Sequence, residues 1–256
     1  MPHEYQLDTL FSPSSLQQIN QDGFGIIRNF FDATELKPVY DDIKGLAQAF
    51  YSHTSLPMPS VPDTELDRPL VDLLKTNPKL QSTLYDRLQQ MPANLALPSS
   101  SKIRQLAGLL FGNHPYGVWP RLQVRFDLYQ DIKNVIEWHH DYLYNQGTKH
   151  SWTLWMPLVN IQPEMGLLRI APRTHTVETP FEFTKTGGVN RFDYTLDQSI
   201  VDKLEIVMPD HYNAGDLVIF HSLVVHAGAV NQDHDRARLV TLYRIQDLTT
   251  LEAFEG

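Results

Sequence analysis

A chain of 256 residues, 42% hydrophobic and 20% charged, has the composition of a folded globular protein able to bury a sizeable core. It contains no cysteine, which excludes disulfides, thiolate metal sites, iron–sulfur clusters and thiol nucleophiles, so any metal must be held by histidine and carboxylate. A formal net charge of −9 argues against a nucleic-acid-binding surface, and no apolar run is long enough to span a bilayer.

The opening "MPHEYQLDTLFSPSS" has neither a basic start nor an apolar core, so it does not read as a secretion signal, and a cytoplasmic location is expected. "SPSSLQQINQDG" has serine caps and a glycine stop, which predicts a short helix. "GFGIIRNF" is β-branched and aromatic, which predicts a strand; Gly23 and Gly25 begin a dinucleotide-like glycine pattern that Arg28 breaks. "DATELKPVYDDIKGLAQAFY" places apolar residues at helical spacing behind an Asp cap, with Pro38 in its early turns. A proline-rich loop covers 52–63, and further packing helices are expected near 67–91 and 100–112.

From about residue 117 short runs rich in Val, Ile, Leu, Tyr and Trp alternate with turn sequences such as "NQGTK", "QPEMG" and "NAGD". Many short strands between turns predict a β-sandwich, barrel or jelly roll. No repeat or linker divides the chain. The expected architecture is therefore a single domain over 1–256, mainly β, with a helical part over about 1–115 and a jelly-roll core over about 116–247.

Within "EWHHDY", strand alternation puts His139 and Asp141 on one face and His140 on the other. "FHSLVVHAG" carries His221 and His226. If this run and "ARLVTLYRIQ" form a hairpin about "VNQDHD", His226 lies opposite Arg238, and an imidazole and a guanidinium share a cavity. Two histidines and one carboxylate form the facial triad of non-haem iron oxygenases, and arginine suits a carboxylate co-substrate.

Three segments together carry a family resemblance. "EWHHD" looks like a W-H-x-D segment, "WTLWMPLVNIQPEMGLLRIAPRTH" like a strand, Gly turn and P-G-S-H segment, and "AGDLVIFHSLVVHAGAVNQDHDRAR" like a distal-histidine hairpin. Over most of its length the chain resembles the phytanoyl-CoA dioxygenase (PhyH-like) family of Fe(II)- and 2-oxoglutarate-dependent oxygenases. The resemblance implies a double-stranded β-helix (cupin-like) core, with O2 as the oxidant. It implies that His139, Asp141 and His226 bind Fe(II). Arg238, rather than Arg236, would hold the distal carboxylate of 2-oxoglutarate, with Trp155 and Gln123 at the same pocket. An intact Asp141 favours hydroxylation, or a related desaturation or cyclisation, over halogenation.

This sequence departs from the family pattern at three places. Gly228 stands where many relatives carry serine, which makes Thr153 the candidate hydroxyl beside Arg238. Pro172, Arg173, Thr174 and His175 replace P-G-S-H. Asp127 puts a carboxylate beside the co-substrate. Arg125, His140 and Tyr142 are candidate substrate contacts, and loops 52–63 and 176–205 are candidate lids. A small-molecule substrate is expected, with no nucleic acid or membrane partner. The same ligands would also suit a cupin-like hydrolase or isomerase, or a non-catalytic 2-oxoglutarate sensor.

Overall fold

The computed structural model describes residues 3–10, 12–119, 123–144, 148–176, 181–185 and 194–250, with the side chain of Gln123 outside the described part. A parallel strand β1 (Glu4–Gln6) leads through α1 (Leu7–Leu10) into α2 (Pro13–Asp22). Ser12 caps α2 by accepting the Ser15 N–H at 3.2 Å. Gly23 ends it in the left-handed conformation, φ +76°, donating its N–H to the Ile19 carbonyl at 2.8 Å. The chain then enters β2 (Phe24–Arg28) as predicted.

Asp32 starts α3 (Ala33–Tyr51) with a capping box. Its carboxylate accepts the Thr34 and Glu35 N–H groups while Glu35 accepts the Asp32 N–H. Leu36, Val39, Tyr40, Ile43, Ala47 and Tyr51 recur at helical spacing and are the residues it buries. The expected single helix over 67–91 is divided into α4 (Asp67–Thr76), a 3-10 turn (Pro78–Leu80) and α5 (Gln81–Leu88). Pro78 is the cause: it disfavours helical geometry at the residue before it, and Asn77 sits at φ −135°, ψ 68°. Two more helices, α6 (Pro92–Ala96) and α7 (Ser101–Leu110), complete the helical layer. Among the described residues no helix is long and apolar enough to cross a membrane.

The strands that follow are β3 (Tyr116–Val118), β4 (Gln123–Asp127), β5 (Ser151–Pro157), β6 (Arg169–Ile170), β7 (Phe183–Lys185), β8 (Tyr194–Leu196), β9 (Leu217–His221), β10 (His226–Ala227) and β11 (Arg238–Asp247). The major sheet runs β1-β2-β9-β5-β11-β3, with β4 also paired to β11; β10 pairs with β6, and β7 with β8. The architecture is the expected jelly roll. β1 and β2, from the helical part of the sequence, extend its major sheet beyond β9. β11 is its axis, buried along almost its whole length.

One expectation fails here. β10 and β11 are not a hairpin: β10 pairs with β6, placing His226 opposite Ile170, while β11 pairs with β4 and places Arg238 opposite Asp127. The intervening segment crosses between the sheets instead of folding back. Buried Asn231 pins that crossing, its amide donating to the carbonyls of Asp127 at 3.0 Å and Arg236 at 2.8 Å.

Candidate metal centre

His139 is held by a two-residue bridge to His226, each backbone N–H donating to the other's carbonyl at 3.0 and 2.8 Å. The backbone stays extended through His140 (φ −120°, ψ 149°) and then tightens into a 3-10 turn, Asp141–Leu143. Strand alternation therefore holds across the two histidines and sends His140 away from His139. His140 packs edge-on against Phe183 with ring centroids 4.7 Å apart. With His140 extended, alternation returns the Asp141 side chain to the side of His139, and the 3-10 turn begins only there.

The Nδ1 atoms of both site histidines lie near the carbonyl two residues earlier: His139 near Glu137 at 2.6 Å, His226 near Val224 at 3.0 Å. A carbonyl only accepts, so each Nδ1 carries the proton and each Nε2 presents a lone pair. Asp141 Oδ1 lies 3.8 Å from His139 Nε2 and 3.9 Å from His226 Nε2. One donor atom from each of the three residues falls within 4.8 Å of the others, and all three residues are buried. Burial holds His139 well below the ordinary histidine range, aided by neighbouring His226, and burial lowers His226 as well. Burial alone would raise Asp141, but Arg244, His226 and His139 outweigh it and hold the carboxyl below the usual range. Two neutral imidazoles and one carboxylate are the protonation states a divalent metal requires. The donor set fits Fe(II) on this ground.

The carboxylate is itself oriented. Arg244 forks it, Nε to Oδ2 and Nη2 to Oδ1, both at 3.1 Å, and the Thr153 hydroxyl donates to Oδ2. Thr153 was expected beside Arg238; β5 instead turns its side chain toward Asp141, so that assignment is corrected. Arg244 was missed by the sequence reading. The available signal was parity: Arg238, Leu242 and Arg244 lie on one face of β11, and all three line the cavity that holds the triad.

Arg238 donates to Asp127 Oδ2 from Nε at 2.9 Å and from Nη2 at 2.6 Å, and its Nη1 donates to the carbonyls of Gly166 and Ala229. Gly166 (φ +80°) passes so close to the Ala229 carbonyl that no side chain fits there. Arg125 shares the Asp127 carboxylate, with Nη2 3.0 Å from Oδ1, and also donates to the Asn134 carbonyl. Burial pushes Asp127 up, but the two guanidiniums of Arg125 and Arg238 outweigh it and the carboxyl is lowered. Arg236 is consumed elsewhere, forking Asp67 at 2.7 and 3.0 Å and tying α4 to the start of β11.

The triad, Arg125, Trp155, Gly228, Arg238 and Arg244 all line one cavity. Among the described residues His140 and Tyr142 do not line it, although both were candidate substrate contacts. His140 is half-buried beneath Phe183, and Tyr142 hangs from a turn whose backbone N–H donates to the Ser222 carbonyl at 3.1 Å. Gln123 pairs with Leu242 through its backbone, and its side chain lies outside the described residues. Of the candidate lid 176–205, residues 177–180 and 186–193 also lie outside them. Its described part packs Phe183 and Leu196 in a small apolar cluster with Trp138, next to the HxD segment.

A search of curated proteins finds no match. Solved structures with the same fold include the alpha-ketoglutarate-dependent epimerase SnoN from nogalamycin biosynthesis, in complex with Fe3+, alpha-ketoglutarate and nogalamycin RO. It is 19% identical, with TM-score 0.59, covering 93% of this chain and 86% of that one. The carbocyclase SnoK from the same biosynthesis is 15% identical, TM-score 0.56, covering 95% and 87%. Iron-bound EctD from S. alaskensis is 15% identical, TM-score 0.61, covering 96% and 80%. The family model for phytanoyl-CoA dioxygenase (PhyH) matches residues 19–238, which include all three triad residues and end on Arg238. The chain thus belongs to the phytanoyl-CoA dioxygenase family, and is an oxygenase-type enzyme dependent on Fe(II), 2-oxoglutarate and O2.

Proposed function

We propose that this protein oxidises a small organic molecule, most simply by hydroxylation, with 2-oxoglutarate converted to succinate and CO2. One observation carries the reading: two Nε2 lone pairs and a carboxylate oxygen converge in a cavity that a buried arginine also lines. His139, Asp141 and His226 would hold Fe(II), which supplies the oxygen-activating chemistry when bound. Arg238 would take the distal carboxylate of 2-oxoglutarate, with Trp155 along the cavity wall. Asp127 fixes the Arg238 side chain from one side, and Gly228 leaves space beside its Nη2, 3.5 Å from where a Cβ would stand. Apolar Leu168, Phe220 and Leu242 line the same cavity and limit water there. A cytoplasmic location, a single functional domain and a free small molecule rather than a CoA thioester belong to the same reading, since a CoA group would call for several surface cations.

Anaerobic addition of Fe(II) and 2-oxoglutarate tests it, through the weak visible charge-transfer band of the chelate. Admission of O2 should then release succinate. No band with the wild-type protein would sink the proposal, and a band with no succinate under any substrate would favour a 2-oxoglutarate sensor. Arg238→Gln should weaken 2-oxoglutarate binding by about tenfold or more while sparing metal binding. Unchanged affinity would remove Arg238 from its assigned role.

A further inference from the structure

Arg244 holds an unusual position among the cavity residues. It is 8% exposed, lies beyond the stretch matched by the family, and uses Nε and Nη2 on the metal carboxylate Asp141. Its third nitrogen, Nη1, is buried and has no hydrogen-bond partner, while the side chain lines the cavity. A buried N–H without an acceptor is costly, and a guanidinium binds acceptors best when they carry charge. Arg238, at the other end of the same strand face, has all three nitrogens engaged. The two are six positions apart on the strand, roughly 20 Å along the backbone. They lie toward opposite ends of the cavity rather than together on one ligand.

Charge points the same way. Three guanidiniums (Arg125, Arg238 and Arg244) face two carboxylates, Asp127 and Asp141. On the reading proposed above, a divalent metal and a dianionic co-substrate cancel each other, and one positive charge is left over. Once a metal draws on Asp141, that carboxylate no longer neutralises Arg244 fully, so the surplus sits at the Arg244 end. A buried surplus charge calls for a partner.

We infer that Arg244 Nη1 is the anchor for a monoanionic group, a carboxylate, on the organic substrate. The substrate would then be a small acid. Its carboxylate would be held against the strand end beside Asp141, with its reacting carbon between that anchor and the metal.

The test needs no knowledge of the substrate, because acetate is the smallest probe of such a subsite and acetamide is its neutral counterpart. Nitrogen-15-labelled protein would be loaded with Zn(II), which is diamagnetic and redox-inert, and saturated with 2-oxoglutarate. The arginine Nε–H resonances are assigned from Arg244→Lys and Arg238→Lys. Acetate should shift the Arg244 resonance saturably, acetamide should not, and the Arg238 resonance should respond to 2-oxoglutarate and not to acetate. Acetate affinity, read on the Trp155 indole N–H, should fall about tenfold in Arg244→Gln and be largely kept in Arg244→Lys. An Arg244 resonance indifferent to acetate, or equally responsive to acetamide, overturns the inference on the wild-type protein, with only the two lysine variants needed for assignment. So does unchanged acetate affinity in Arg244→Gln, which would assign the acetate to the metal alone. An Arg238 resonance that ignores 2-oxoglutarate strikes the co-substrate assignment instead, and the Arg244 response is still read by itself.

Discussion

The two ends of β11 present the same chemistry in different states. At one end Arg238 is forked to Asp127 and locked by two backbone carbonyls; at the other Arg244 is forked to Asp141 and keeps one nitrogen without a partner. Asp127 is shared between two arginines and is not among the residues lining the cavity of the triad, so it serves to aim a guanidinium. Asp141 is a member of the triad, so Arg244 acts on the metal ligand directly. A buried ion pair can thus either immobilise a binding group or couple it to a metal, depending on what else the carboxylate faces.

The largest break in this comparison is Asp141→Ala. It removes one of the triad ligands and strands Arg244 in the core. Metal binding, followed by calorimetry, should be abolished, and the apoprotein should lose about 3–5 kcal/mol in urea unfolding. Asp127→Asn strikes the other end. Arg125 and Arg238 are left facing each other without their shared carboxylate, at a cost of about 3 kcal/mol. Because 2-oxoglutarate supplies the missing negative charge, it should raise the melting temperature of this variant more than that of the wild type; an equal or smaller rise would show that Asp127 does not stand next to the co-substrate.

Thr153→Val is a finer probe. It keeps shape but removes the hydroxyl that donates to Asp141, leaving the Arg244 fork in place. Metal affinity should fall by about tenfold with little change in 2-oxoglutarate affinity measured at saturating metal. The smallest effect is expected from Gly228→Ser. A Cβ there meets only Arg238 Nη2 at 3.5 Å and the Ile136 carbonyl at 3.9 Å, so the residue fits. Its hydroxyl can join Arg238 at the co-substrate, and 2-oxoglutarate should bind about two- to fivefold more tightly, with stability unchanged. Weaker binding would mean that the glycine keeps that space open for something else.

Much of the site was legible because the local signals were strong. The caps Ser12 and Asp32, the stop at Gly23 and the alternation across His139 and His140 act over a few residues, where sterics and backbone hydrogen bonding dominate. Arg238 was reached through a strand pairing that does not form. Arg238 does line the cavity with His226, but through β11 lying beside β4 and not through a hairpin with β10. The convergence of His139 and Asp141, by contrast, agrees with strand parity: His140 is extended and packs away from them, and the 3-10 turn begins only at Asp141. A turn-like sequence such as "VNQDHD" marks a change of direction without saying where the chain goes next, and here Asn231 sends it across to the other sheet.

Residue types and short-range order therefore followed from the chain alone: no cysteine, histidine and carboxylate at close spacing, caps, turns and a strand-rich second half. Which arginine sits on which carboxylate did not. Arg236, Arg238 and Arg244 are alike in sequence, and their partners Asp67, Asp127 and Asp141 lie 169, 111 and 103 residues away. Strand pairing sets Arg238 opposite Asp127, whereas the packing of α4 brings Asp67 to Arg236 and the 3-10 turn after His140 brings Asp141 to Arg244; burial then makes each pairing obligatory, because a guanidinium taken out of water must find a charge or an acceptor.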